Sequence, residues 1–258
     1  MNLNIEKKYF LVTGATSGLG GGTAKALLNE GAHVIAVARK EEGLKELGMS
    51  YPGQVIPFAG DMFIPEQVAA LADFVSGYDL SGAVINAGGP PAGGAMDVTM
   101  DDWDAAWLKV VRWKVDLVSR LVPGFIWKKY GRILFIESVS VKQPVARLVL
   151  SNSLRMAVAG YAKTLSQELA GNGVTVNVMA PGFHHTPAAE RLFVKRAEIE
   201  KISVEEAKAR YEREIPAGRM GDTGEFGMLA AWILSPYSGY ITGEVFPVDG
   251  GTILFTLG

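Results

Sequence analysis

A hydroxyl and a guanidinium one helical turn apart raise the first chemical question. In "LVLSNSLRMAVAGYAKTLSQEL", residues 148–169, Ser151 and Arg155 stand four positions apart and share one face of any helix built there. An aliphatic hydroxyl holds its proton far above the neutral range, about as tightly as water does. Ser151 is therefore suited to orienting a carbonyl or passing a proton to water, and is a poor unaided acid. Arg155 has donors only and keeps its proton, so it offers fixed positive charge. Ser151 reads equally well as the cap of a helix starting near Asn152. His184 and His185 carry imidazoles whose ordinary pKa suits proton transfer, with a polar loop as their other reading. Tyr161 lies farther along the same helix, in a stripe with Leu154, Val158, Leu165 and Leu169 that reads as core or subunit packing, and Lys163 follows it. The chain has no cysteine, which excludes disulfides and thiolate chemistry, and no metal-ligand constellation is present in the sequence.

A second stretch is chemical through its backbone. "TGATSGLG", Thr13 to Gly20, places Gly14, Gly18 and Gly20 between an apolar run and the helix-forming "GGTAKALL". Glycines allow a tight turn and close approach to the chain, and the free amides of a helix N-terminus favour an anion such as a pyrophosphate.

These residues need elements to hold them. "YFLVTG", "HVIAVAR", "QVIPFAGD", "GAVINAG", "GRILFIES", "GVTVNVMAPG" and "GEVFPVDGG" are short apolar runs with β-branched residues and Gly or Pro boundaries, the pattern of buried parallel strands. Between them, "GTAKALLNEG", "PEQVAALADFVSG", 101–128, 154–170 and 225–234 carry apolar positions at three- and four-residue spacing. Repeated βα alternation predicts an α/β fold: a doubly wound parallel sheet with helices on both faces and ligands outside the carboxyl ends of the strands. Residues 1–258 contain no low-complexity linker or internal repeat, so one domain is expected. The charged segment 187–215 is expected to form a helical substrate lid, with "SVEE" at 203–206 as a capping box opening its second helix. Leu192, Phe193, Val204 and Tyr211 either wall the pocket or anchor that lid.

With 48% hydrophobic and 20% charged residues, the composition is that of a globular chain. A formal net charge of −2 gives no general attraction to phosphate backbones, so nucleic acid is not an expected partner. No apolar run reaches membrane-spanning length and the first residues lack the apolar centre of a signal peptide, so the expected location is cytoplasmic, with no membrane partner.

Taken in order, several segments resemble the short-chain dehydrogenase/reductase family, and within it the 3-oxoacyl-carrier-protein reductase-like branch, over nearly the whole chain. "TGATSGLG", with Gly14, Thr16, Ser17, Gly18, Leu19 and Gly20, is similar to the family's cofactor loop. "GD" at 60–61, with Asp61 and the following Met62, is similar to its adenine contact, and "NAG", with Asn86 and Gly88, to the turn ending the fourth strand. "NVMAPG" with Pro181, Gly182 and Thr186, then "GRMGDTGE" and "YITGEVFPVDGG", resemble the segments that close over the nicotinamide. The resemblance implies a Rossmann-type fold, a nicotinamide dinucleotide, hydride exchange with a carbonyl or alcohol, and a homo-oligomer, dimer or tetramer, formed through the fourth and fifth helices.

The family's reaction residues are only partly matched. Ser138 in "FIESVSV" fits its serine, with Ser140 close by. Thirteen residues on, Ser151 stands where the family has tyrosine, and Arg155 where it has lysine; Val110 replaces its asparagine, and no Tyr-x-x-x-Lys occurs in the chain. Ser138, Ser151 and Arg155 are the catalytic candidates that remain. After the second strand the chain reads "AVARK": Ala38 offers no carboxylate to ribose hydroxyls, whereas Arg39 can grip a 2′-phosphate, which favours NADP with NAD as the alternative. Two functional readings follow: an NADP(H)-dependent oxidoreductase interconverting a carbonyl and a secondary alcohol, or a nucleotide-binding relative of weak or absent catalysis with a binding or regulatory role.

Overall fold

Apolar runs too short to be buried helices become strands here because helices of the same chain cover both of their faces. The computed structural model describes residues 2–256. Its first half comprises β1 (Tyr9–Thr13), α1 (Gly18–Asn29), β2 (His33–Ala38), α2 (Glu41–Ser50), β3 (Val55–Ala59), α3 (Pro65–Val75) and β4 (Leu80–Ile85). The second comprises α4 (Met100–Trp107), α5 (Trp113–Lys128), β5 (Gly131–Ile136), α6 (Val149–Leu169), β6 (Val174–Pro181), α7 (Pro187–Glu200), α8 (Val204–Arg213), α9 (Thr223–Leu234) and β7 (Val245–Val248). Each sequence-predicted strand is present, and all pair in parallel in the order β3-β2-β1-β4-β5-β6-β7. The order reverses between β1 and β4, so the loops leaving these neighbours diverge and open a crevice at their carboxyl ends.

Strand alternation divides the core into two layers. Leu11, Ile35, Ile85, Ile133 and Phe135 face α3, α5 and α6. Phe10, Val12, Val34, Val84 and Leu134 face α1 and α9. Burial of each such side chain contributes about 1.5–3 kcal/mol. The helices α1 and α9 touch backbone to backbone: a Cβ on Gly22 would overlap the carbonyl of Thr223.

Three helical boundaries differ from expectation. The helix α2 was not legible, because "EEGLKELGMS" holds two glycines and buries only Leu44 and Leu47. The segment 101–128 is not one regular helix: Leu108–Arg112 forms a π-helical turn between α4 and α5, with Trp113 Nε1 donating to the Lys109 carbonyl at 2.9 Å. The helix α6 starts at Val149 with Leu148 as its N-cap, so Ser151 lies inside the first turn and caps nothing. The Asn152 side chain instead bonds Val145 twice, accepting from its N–H (3.1 Å) and donating to its carbonyl (2.9 Å).

In 187–215, Ser203 Oγ accepts from the Glu206 amide at 3.0 Å and opens α8, but the expected capping box is only half made: Glu206 Oε1 accepts from Arg210 and Arg213 instead of the Ser203 amide. Phe193 is fully buried among Ala189, Ala197, Ala207, Ile215 and Met220, with Val204 and Tyr211 packed on that cluster. These side chains anchor the segment, while Leu192 is exposed.

Candidate active site

The turn after β1 shows why its glycines are needed. Gly14 has φ +65°, a left-handed value that favours glycine, and a Cβ there would sit 2.7 Å from Asn86 Nδ2. The Asn86 turn is itself tied to β1: its amide donates to Thr13 Oγ1 at 2.7 Å, and that hydroxyl donates back to the Asn86 carbonyl at 2.8 Å. Ser17 is the N-cap of α1 and makes no side-chain capping bond, leaving the first-turn amides for an anion. Thr16 packs against Gly43 of α2, and Leu19 packs against the core.

The remaining cofactor candidates line the same edge. Arg39 and Lys40 are exposed and, among the described residues, meet no carboxylate. Asp61 Oδ1 accepts from the Phe63 amide at 3.0 Å, while Met62 is a core residue. Gly88 faces open space. Pro181 ends β6, and the Gly182 amide donates to Val248 at 3.0 Å. Thr186 caps α7 by accepting from the Ala189 amide at 3.2 Å, and its methyl approaches Gly18.

At the end of β5 the structure assembles a group that sequence reasoning missed. Glu137, buried, immediately precedes Ser138. Its Oε1 accepts from Lys114 Nζ of α5 at 2.5 Å, and its Oε2 from Arg155 Nη1 of α6 at 2.9 Å. Arg155 Nη1 also donates to the Glu137 carbonyl at 2.9 Å. The side chains of Lys114 and Glu137 are 1% and 0% exposed, and that of Arg155 is 8% exposed. Two cations thus share one carboxylate. Burial pushes the Lys114 ammonium down to about 8, against the upward pull of Glu137. Arg155 Nε is buried and has no partner among the described residues, and Nη2 lies near Gly89, just after the Asn86 turn. The signals were a glutamate directly after the apolar run Ile133–Ile136 and a lysine inside an apolar helical stripe.

The two serines are not directly paired. Ser138 Oγ accepts from the Ser140 amide at 3.2 Å, and Ser140 Oγ stands 3.4 Å from Ser151 Oγ. Ser140 is thereby the link to Ser151, while the Ser138 hydroxyl hydrogen remains available. Gly93 bonds Arg147 and Val149, so the loop after β4 is strapped to the start of α6 beside these hydroxyls.

The histidines separate. His184 is buried, edge-on to Phe226, with Nδ1 3.2 Å from the Gly182 carbonyl, and burial lowers its imidazole below the ordinary value. It packs the loop. His185 is exposed. Tyr161 packs edge-on against Phe135, as the helical stripe implied. Among the described residues no group of three or more His, Cys, Asp or Glu could hold a metal ion, and no helix is long and apolar enough to cross a membrane.

The donors and spaces fit a nicotinamide dinucleotide: open amides at α1, an exposed cation after β2, glycine-lined space after β4 and an unpartnered buried guanidinium nitrogen beside it. The family model described as enoyl-(acyl carrier protein) reductase matches residues 14–252. The protein named "Putative ketoacyl reductase" from Streptomyces coelicolor is 34% identical over 259 residues, covering 95% of this chain and 97% of its own. The 3-oxoacyl-[acyl-carrier-protein] reductase FabG of Vibrio cholerae is 30% identical, covering 96% and 98%. The crystal structure of L-sorbose reductase from Gluconobacter frateurii, complexed with NADPH and L-sorbose, superposes with a TM-score of 0.93 at 26% identity, covering 99% and 100%.

Proposed function

The chain belongs to the short-chain dehydrogenase/reductase family, and on that premise we propose that it is a cytoplasmic NADPH-dependent oxidoreductase that interconverts a 3-oxoacyl-type carbonyl and a secondary alcohol. The observation that carries this reading is a chain of contacts along one crevice: Gly14 against Asn86, and three residues later Gly89 against Arg155. It brings the anion-binding turn and the reaction residues to the same carboxyl edge of the sheet. The names of the ketoacyl-reducing relatives and the NADPH-bound neighbour support it.

When bound, NADPH supplies a hydride to the carbonyl carbon. The α1 amides, Thr16 and Ser17 hold the diphosphate, Arg39 the 2′-phosphate, Asp61 and Met62 the adenine side, and Asn86, Gly88, Pro181, Gly182 and Thr186 enclose the nicotinamide side. Ser138 donates its free hydroxyl hydrogen to the carbonyl oxygen. Arg155 supports the negative charge that grows on that oxygen, and Ser151 passes it a proton from water through its own hydroxyl. The helices α7 and α8 cover the substrate. The exposed Trp107, Leu108 and Trp127 of the α4–α5 region, with Met156 of α6, form the face against a second copy.

A second reading, cofactor binding without turnover, is favoured by Arg155 being committed to Glu137 and by Ser151 being a poor acid. Oxidation of NADPH with a panel of ketones that includes a 3-oxoacyl thioester separates the two. Turnover is expected; tight NADPH binding with no turnover on any ketone would establish the second reading.

A further inference from the structure

Lys114 is the largest fully buried polar side chain of the chain's described core and the reading above leaves it without a role. A buried amine is costly, so its retention has to be explained by what it holds. It comes from the first turn of α5, immediately after the π-helical turn, and reaches Glu137 at the end of β5. The second oxygen of Glu137 and its backbone carbonyl together take one nitrogen of Arg155. That leaves Nε and Nη2 unused, the first buried with no partner among the described residues and the second beside Gly89. A lone Glu137–Arg155 pair would be neutral. With Lys114 protonated, two cations on one carboxylate leave one positive charge.

We propose that Lys114 and Glu137 are positioning residues for Arg155: Lys114 holds one oxygen of Glu137, so that the other fixes the guanidinium with its free edge toward the nicotinamide side of the crevice and one net positive charge remains there. The proposal rests on the NADPH reading. It assigns to a lysine on a different helix the charge that the family's lysine position no longer supplies in the same form.

The charge is conditional on pH. Glu137 from β5 and Arg155 from α6 are the charged groups that act on Lys114, and its own helix contributes only the Trp113 ring, 6.0 Å away. Lys114 titrates at about 8. Above that pH the cluster becomes neutral and its hold on an anionic cofactor and on a developing oxyanion weakens.

The test is NADPH affinity by fluorescence titration from pH 7 to 9.5, with no turnover required, on the wild type, Lys114→Arg and Lys114→Met, each checked by thermal unfolding. In the wild type the Kd should rise about tenfold, equivalent to ~1.4 kcal/mol, through an inflection near 8. Lys114→Arg, which stays charged, should bind tightly across the range. Lys114→Met should bind about tenfold more weakly at pH 7 and show no inflection. Where a ketone is turned over, kcat should follow the same limb. A flat wild-type profile, or an unchanged inflection in Lys114→Arg, overturns the proposal while leaving NADPH binding standing. Absence of NADPH binding at every pH overturns the functional reading and this proposal together. The wild-type profile decides the matter even where arginine is too large for the site.

Discussion

The β1–β4 half and the β5–β7 half of this molecule meet a ligand by different means. The first works largely through backbone: a left-handed glycine, open helix amides, an Asn86 main chain held by the Thr13 hydroxyl, and one exposed arginine. Apart from the buried Thr13 hydroxyl, its side chains at the ligand edge are small or solvated, and removing one leaves little uncompensated. The second works through buried charge: Lys114, Glu137 and Arg155 are held in a place where water cannot replace a lost partner. A backbone site is tolerant electrostatically and intolerant sterically; a buried ionic site is the reverse.

Glu137→Ala should therefore be the most damaging single change. It leaves two buried cations facing each other and should cost about 3–5 kcal/mol in urea unfolding. A loss below ~1 kcal/mol would mean the cluster is more hydrated than its burial indicates. Ser138→Ala should lower kcat about 100-fold, ~2.7 kcal/mol, with NADPH affinity nearly intact, as expected for one hydrogen bond to a developing oxyanion. Comparable losses in kcat and NADPH affinity would move Ser138 from the reaction half to the cofactor half.

Arg39→Asp probes the other half. It should weaken NADPH binding by about 1.5–3 kcal/mol and reverse the preference toward NADH, without lowering the melting temperature, because the side chain is exposed and meets no carboxylate among the described residues. Equal affinity of the wild type for both dinucleotides would remove Arg39 from the site.

Lys114 also links stability to pH, with a sign opposite to its effect on cofactor binding. Its pKa is about 8 when folded against 10.5 as the ordinary value. Between these values the unfolded chain holds the proton and the folded one does not, so stability rises with pH; below 8 the penalty is fully present. From pH 8 to 9.5 the wild type should gain about 2 kcal/mol relative to Lys114→Met. A parallel pH dependence in the two proteins would show that Lys114 titrates normally. The smallest effect is expected for Ser151→Ala, ~0.5 kcal/mol in stability, because its 3.4 Å contact with Ser140 is long. A tenfold drop in turnover at unchanged stability would place its hydroxyl on the proton route; unchanged turnover would take it off.

What the sequence determined by itself was whatever depends on local chain properties. Apolar runs, glycine punctuation and helical periodicity gave the seven strands and the α/β class, because alternating elements with two buried faces have few ways to pack. The same locality made the β1 turn legible, since a tight turn demands glycine wherever it occurs, and it exposed the departures at Ser151 and Arg155. Tertiary structure alone decided which distant side chains share a buried space. Lys114, Glu137 and Arg155 belong to three elements, and Ser140 rather than Ser138 proved to be the neighbour of Ser151. The π-helical turn before α5, which buries Val110 and Val111, and the early start of α6, which moved Ser151 off the cap and is tied by Val149 to Gly93, also appear only in the folded chain. Periodicity can show that a lysine lies on an apolar stripe. Only the packed sheet sets a carboxylate against it, and the desolvation that lowers its pKa exists only once the core has closed.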